Sequence, residues 1–192
     1  MLRRIVLIAT GLVLMSAASV SASTHTITMT QFAFPAQTNA KVGDKIQWVN
    51  HTGSLHSTTN NPTLSLWGKD IPNGGSASVT FTAAGSFGYH CRIHGFMTGS
   101  IVVAMTASAH SGTTSTTFTL HWASAQAESG FKYVVQKRAP GGSFGPFKST
   151  TAPSGTFKTS VTGTWQFRAK LKRTSNGATS GFSPALSISV TH

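Results

Sequence analysis

The sequence is poor in cysteine and in acidic residues. The first shortage excludes an internal disulfide, and the second leaves the chain strongly positive. A single cysteine, Cys91, occurs among 192 residues, so the chain cannot close a disulfide within itself and its stability has to come from packing. Asp and Glu number 3 against 15 Lys and Arg, which gives a formal net charge of +12 and favours an acidic partner. No apolar run after residue 22 approaches the roughly 20 residues that a membrane-spanning helix needs.

Residues 1–22 have the composition of a secretory signal peptide. A basic start with Arg3 and Arg4 precedes an apolar stretch from Ile5 to Met15, and Val20-Ser21-Ala22 fits a small-residue cleavage site. An uncleaved membrane anchor is the alternative, although the uncharged run is short for one. We therefore expect an exported protein, periplasmic or extracellular, for which nucleic acid is a poor candidate as the acidic partner.

Apolar and polar residues alternate with a period of two along most of the remaining chain, and helical periodicity is nearly absent. The segment from Trp165 to Lys172 shows the alternation most clearly. This pattern is typical of strands that bury one face. Residues 107–115 are small and polar and predict a linker. We predict an all-β protein with two β-sandwich domains, residues 23–106 and residues 116–192.

Cys91, His94 and Met97 follow one another at intervals of three within the segment GYHCRIHGFMTGSIVV. Thiolate and thioether are soft ligands and imidazole is intermediate, and this set selects copper. Two histidines and a cysteine with a distant axial methionine form the blue-copper arrangement. The alternatives are an inert buried cysteine, a Cys–His nucleophile and base, and a zinc site, but zinc does not usually take methionine.

The second histidine ligand has to come from elsewhere in residues 23–106. His90 alternates to the strand face opposite Cys91, and His25 lies near the start of the mature chain. His51 and His56 both follow the predicted strand KIQWVN. Spacing alone leaves these two candidates open.

The loop resembles the copper loop of small cupredoxins, the blue copper proteins of the amicyanin and plastocyanin type, with the short spacing of the amicyanin type. The segments VGDKIQWVNHTGSLHS and FTAAGSFGYHC resemble the same family upstream. The resemblance covers about residues 25–105 and implies a Greek-key β-sandwich with one copper ion. It implies His56, Cys91, His94 and Met97 as the metal ligands, and Asn50 as the residue that ties the two ligand loops together.

The resemblance also implies the function, a one-electron carrier that cycles between Cu(I) and Cu(II) and is not an enzyme. His94 is then the ligand at the solvent edge, where electrons enter and leave. Phe96 and Ile93 are either an apolar docking patch for an unknown redox partner or ordinary loop packing. The alternatives are copper storage or delivery without redox cycling, and a cell-surface binding protein in which copper is structural.

The segment after the linker resembles a fibronectin type III domain, a seven-strand sandwich. Trp122 and Tyr133 are expected in its core, and Trp165 stands where the family usually has a tyrosine that pins a corner. Residues 107–192 contain nine Lys or Arg against Glu128 alone. We expect a spacer, or a module that attaches to an anionic cell-envelope polymer or to lipid headgroups. The cations concerned are Arg168, Lys170 and Lys172, with Lys132, Lys137, Arg138 and Arg173 nearby.

Overall fold

The computed structural model describes residues 22–192, and this part of the chain is all-β, with no helix. The predicted signal peptide therefore lies outside the described residues, apart from its last residue. None of the described residues belongs to a helix with the length and apolar character that crossing a bilayer requires. Sixteen strands form four sheets in this range, two from β1 to β8 and two from β9 to β16. We call these two groups of strands the first and the second unit.

The first unit is a sandwich of a three-stranded sheet, order β1-β3-β6, and a five-stranded sheet, order β2-β8-β7-β4-β5. Trp48 on one sheet packs edge-on against Tyr89 on the other, with ring centroids 5.4 Å apart. Both rings are buried because they stand on the inward faces of alternating strands. The strands are β1 Thr24–Met29, β2 Thr38–Lys41, β3 Lys45–Asn50, β4 His56–Asn60, β5 Gly68–Ile71, β6 Ser76–Thr80, β7 Gly85–His90 and β8 Thr98–Ala104.

The second unit pairs a three-stranded sheet, order β14-β11-β9, with a five-stranded sheet, order β10-β16-β15-β12-β13. Phe157 and Phe167 meet between the sheets with ring centroids 4.8 Å apart. Trp122 and Tyr133 are buried there, as expected. The strands are β9 Thr106–Ala107, β10 Ser111–Thr113, β11 Phe118–His121, β12 Phe131–Arg138, β13 Gly145–Thr150, β14 Ser154–Phe157, β15 Gly163–Arg173 and β16 Leu186–Thr191.

The stretch predicted as a linker, residues 107–115, differs from that expectation because it takes part in both sheets of the second unit. Strand β9 pairs antiparallel with β11, and β10 pairs parallel with β16. Strand pairing uses backbone N–H and C=O groups and needs no large side chain. Small and polar residues therefore look like a linker by composition while the backbone serves as an edge strand.

The two units contact each other directly. Ser86 and Gly181 exchange two backbone hydrogen bonds of 2.9 Å, and Ser124 N–H donates to the Thr82 carbonyl over 2.9 Å. Arg173 donates to the Leu64 carbonyl. A cavity of about 240 Å³ lies between the units, lined among others by Trp67, Phe81, Phe87, Phe131, Tyr133 and Leu171.

Candidate metal centre

Three candidate ligand atoms converge at one end of the first unit. His56 Nδ1 lies 3.1 Å from His94 Nδ1, and Cys91 Sγ lies 3.8 Å from each of these nitrogens. His56 and Cys91 are fully buried, and His94 is half-buried. Bonds of about 2.0–2.3 Å from nitrogen and sulfur to a first-row metal ion leave neighbouring ligand atoms about 3–4 Å apart. The triangle therefore has the size and the donor types that one such ion requires.

Two segments bring these side chains together. His56 begins β4, and Cys91 directly follows the end of β7, whose residue Tyr89 pairs with Asn60 near the end of β4. The loop after Cys91 is closed by two backbone hydrogen bonds, Cys91 N–H to the Met97 carbonyl at 3.0 Å and Met97 N–H to the His94 carbonyl at 2.9 Å. Strands hold both ends of this loop, so the ligand positions are fixed by the sheet.

The hydrogen bonds of Thr52 fix the tautomer of His56. The Thr52 hydroxyl donates to Asn50 Oδ1 at 2.8 Å, so it has to accept from the ring nitrogen His56 Nε2, which lies 2.7 Å away. His56 then carries its proton on Nε2 and presents the free lone pair of Nδ1 to Cys91 and His94. A hydrogen bond on the distal nitrogen is the usual support of a metal-binding histidine.

The sulfur of Cys91 accepts two backbone hydrogen bonds. Ser57 N–H donates to Sγ over 3.3 Å, and His94 N–H donates over 3.4 Å. Donors of this kind stabilise the thiolate, which is the form of cysteine that binds a metal. One donor comes from each ligand segment, so the sulfur is held from both sides.

Ser57 joins the two segments that carry His56 and Cys91. Ser57 Oγ accepts a 2.8 Å hydrogen bond from Arg92 N–H, next to Cys91 in the chain. Asn50 is fully buried and donates instead to the carbonyls of Ser54 and Ile71, at 2.7 and 2.8 Å. Asn50 thus shapes the loop that carries His56, because its short side chain reaches the carbonyls of that loop and of β5.

The surroundings of His56 disfavour its protonated form. Burial lowers the pKa of His56, and the neighbouring His94 lowers it further. A neutral imidazole is the form that binds a metal, so the surroundings favour the binding form of His56.

The structure keeps the other candidate histidines away from this cluster. The exposed His51 lies in the loop between β3 and β4, and its backbone N–H donates to the Met29 carbonyl over 2.8 Å. His25 Nε2 lies 2.8 Å from the Asp44 carboxylate, and His90 lies in β7 opposite Thr98. Met97 is almost fully buried and its backbone closes the loop beside Cys91.

Phe32 covers the histidines in a way that the sequence analysis did not predict. Its ring meets His56 and His94 edge-on, with centroids 4.9 and 4.8 Å away, and it remains 40% exposed. Phe32 could not be assigned from the sequence because it lies in the irregular loop after β1, where no periodic pattern indicates which residues its side chain contacts. Ser57 and Thr52 were missed as well, although Ser57 directly follows the candidate ligand His56, so its backbone N–H had to lie close to the cluster.

Comparison with known proteins finds similarity to amicyanins. The chain is 35% identical over 69 residues to the amicyanin of Paracoccus denitrificans, which is 34% of this chain and 53% of that protein. Part of this chain is homologous to an amicyanin-like cupredoxin. The chain spans about half the length of this relative. No family model matches the chain.

Solved amicyanin structures resemble the chain as well. The structure of a reduced amicyanin mutant is 28% identical, covers 46% of this chain and 87% of its own, and has a TM-score of 0.39. A Cu(I) form of another amicyanin mutant is 27% identical, covers 45% of this chain and 88% of its own, and also has a TM-score of 0.39.

Proposed function

We propose that this chain is a blue copper protein that carries single electrons and is not an enzyme. The observation that carries the proposal is the triangle of His56 Nδ1, Cys91 Sγ and His94 Nδ1, with sides of 3.1 to 3.8 Å. Two imidazoles and one thiolate are the trigonal ligand set of blue copper sites. Copper held there supplies the exchange of one electron between Cu(I) and Cu(II). The amicyanin homology supports the same function.

We propose that Met97 would be the fourth residue to hold the copper ion. Its side chain is almost fully buried, and its backbone is joined to Cys91 and His94 by the hydrogen bonds that close the loop. A weakly binding thioether beside two imidazoles and a thiolate would tune the potential of the copper. With Met97 in place the ligand set is closed, so no position remains for a substrate.

The surroundings of the proposed ligands support electron transfer because they hold the ligand side chains in place. Strands carry or flank His56 and Cys91, Thr52 and Ser57 fix them by hydrogen bonds, and Phe32 packs on both imidazole rings. Ligands that stay in place when an electron arrives keep the reorganisation of the site small.

His94 is the proposed electron port, and apolar side chains around it form the proposed docking surface for the redox partner. His94 is the ligand with solvent access, and the Phe96 ring lies 6.1 Å from it. Phe96 is 73% exposed. Exposed apolar clusters of this kind mark interaction sites. The other exposed large apolar side chains near the ligands are Phe32, Leu55 and Ile93.

The decisive experiment is the visible and electron paramagnetic resonance spectrum of the chain loaded with Cu(II). We expect an intense blue colour that disappears on reduction and returns on oxidation. Cys91→Ser should abolish the colour, because the thiolate is its source, whereas His51→Ala should keep it. A colourless chain that binds Cu(I) and does not cycle would instead indicate copper storage or delivery and would overturn the carrier function.

We propose further that the chain is exported and that the second unit is a fibronectin type III-like module for spacing or attachment. The composition of residues 1–22 supports export. Two observations support the fibronectin type III-like module. One is the strand order of its two sheets, and the other is the hydrogen bond that Trp165 Nε1–H donates to the Val161 carbonyl over 3.1 Å, at the position of the family's corner tyrosine. The mass of the protein recovered from its producing cell tests export, because cleavage near Ser23 removes the first segment.

A further inference from the structure

We propose that the second unit carries a built binding site for a linear anionic polysaccharide, on the outward face of β12 and β15. This inference rests on the proposed attachment role of the second unit and names its site. The outward side chains of the two strands are paired across the sheet, Gln136 with Arg168 and Arg138 with Gln166. Lys132 likewise lies opposite Lys172.

Three cations and two phenyl rings alternate in a row across this face, which we call the cation row. The Arg168 guanidinium lies 4.1 Å from the ring centroid of Phe144 and 4.1 Å from that of Phe182. Arg138 lies over Phe144 at 5.0 Å, and Lys170 lies over Phe182 at 4.7 Å. The order is therefore Arg138, Phe144, Arg168, Phe182, Lys170.

The cation row is held in place before any ligand arrives. Arg168 Nε–H donates to Gln136 Oε1 over 2.9 Å, and Arg138 donates to Gln166 Oε1. Guanidinium groups fixed by stacking and by amides lose little freedom when they bind an anion. These contacts occupy some of the donors of each guanidinium, and the remaining donors are free for carboxylate or phosphate oxygens.

No protein carboxylate neutralises these charges within the described residues. The two ion pairs between residues 22 and 192, His25 with Asp44 and Arg92 with Asp70, both lie in the first unit. Lys132 opposite Lys172 is a like-charge pair that destabilises the sheet. An external anion would neutralise these charges.

Two of the expected cations, Lys137 and Arg173, do not lie on this face. Lys137 lies over the rings of Phe147 and Trp165, at 5.6 and 5.8 Å. Arg173 donates to the Leu64 carbonyl of the first unit and lies over Phe131. The seven cations considered in the sequence analysis therefore divide into two groups. Five lie on the outward face of β12 and β15, and two lie elsewhere.

The shape of the row favours a polymer with charges at regular intervals. Alternate residues on a strand are about 7 Å apart, so Arg168 and Lys170 of the cation row, together with the neighbouring Lys172, extend over about 14 Å. Binding of single-stranded nucleic acid requires free ring faces for base stacking, and here cations lie over both rings. A bilayer surface would favour protruding apolar side chains, but Phe144 and Phe182 are half-buried beneath the cations.

The test is titration of the full chain with polygalacturonate, a linear uronic acid polymer, at low and at physiological salt. We expect binding that weakens with salt, and no binding to neutral dextran. Arg168→Gln with Lys170→Gln should weaken the affinity about tenfold or more. The matched pair Lys45→Gln with Lys158→Gln removes the same charge at exposed positions outside the row, and should change it about twofold at most.

A second variant separates a built site from diffuse charge. Phe144→Leu with Phe182→Leu keeps every cation but removes the rings that hold them, and should weaken binding about threefold or more. Unchanged affinity in this variant would overturn the built site, as would equal losses in the two charge variants. Thermal unfolding of each variant verifies that it is folded.

Two further ligands decide between classes of partner. Vesicles of phosphatidylglycerol and single-stranded poly(dT) are titrated under the same conditions. Tighter binding to either of them than to polygalacturonate, lost in the Arg168 and Lys170 variant, would overturn the polysaccharide proposal. So would the absence of polygalacturonate binding in the unmodified chain. Cys91→Ser should bind polygalacturonate unchanged, which keeps this test independent of the copper function.

Discussion

The candidate metal centre of the first unit and the cation row of the second unit differ in where their polar groups find partners. Asn50, His56 and Cys91 are fully buried, and each has hydrogen-bond partners within the chain. Arg138, Arg168 and Lys170 are half-exposed and have no carboxylate partner among the described residues. Buried polar groups must be paired internally because they have lost water. Exposed cations keep water and can exchange it for an external anion.

The largest effect that tests this contrast is expected from Asn50→Ala. The substitution removes the Asn50 donor from the carbonyls of Ser54 and Ile71, and it removes the Asn50 oxygen that accepts from Thr52. We expect the free energy of unfolding of the metal-free chain to fall by about 3 kcal/mol or more, measured by denaturant titration. The exposed Asn39→Ala should change it by about 0.5 kcal/mol at most. Similar losses in both variants would show that burial does not distinguish this asparagine.

A smaller effect is expected from Thr52→Val, which removes the hydroxyl that accepts from His56 Nε2. Without this bond the tautomer and ring orientation of His56 are no longer fixed, so copper affinity should fall about 10–100-fold in competition with a chelator. Thr52→Ser keeps the hydroxyl and should restore most of the affinity. If Thr52→Val and Thr52→Ser bind copper equally well, the hydroxyl does not position His56.

The smallest effect has the opposite sign. Lys172→Gln relieves the like-charge pair with Lys132 and should raise the free energy of unfolding by about 0.2–0.5 kcal/mol at low salt. The gain should vanish at high salt, because exposed charges are screened. Lys158→Gln, away from the cation row, serves as the control. A lower free energy of unfolding in Lys172→Gln would show that Lys172 stabilises the sheet, which would contradict the expected repulsion from Lys132.

The all-β fold could be predicted because period-two alternation is a local property of strands. Trp165, Phe167, Ala169 and Leu171 alternate in the sequence and are all buried on one face of β15. The role of residues 107–115 could not be predicted in this way. Edge strands β9 and β10 pair through the backbone, and pairing of this kind leaves little trace in side-chain composition.

The part of the candidate metal centre that is close in sequence could be predicted. Cys91 and His94 share one tight loop, and their side chains meet in the structure. Thr52, Ser57 and Phe32 could not be assigned from spacing, because their contacts with the ligands depend on the course of two separate loops. The hydrogen bonds of Asn50 shape the loop that carries His56, while Ser57 joins that loop to the one that carries Cys91.

The sequence by itself determined the chemistry of this protein: one unpaired thiol with a histidine and a methionine at short spacing, strands throughout, and positive charge concentrated after residue 106. Tertiary structure decided which groups meet. His51 and His56 follow the same strand, yet hydrogen bonds of Asn50 and Thr52 direct His56 toward Cys91. Phe144 and Phe182 reach Arg168 from loops distant in sequence. Spacing fixes only neighbours along the chain, whereas the packing of sheets and loops selects neighbours in space.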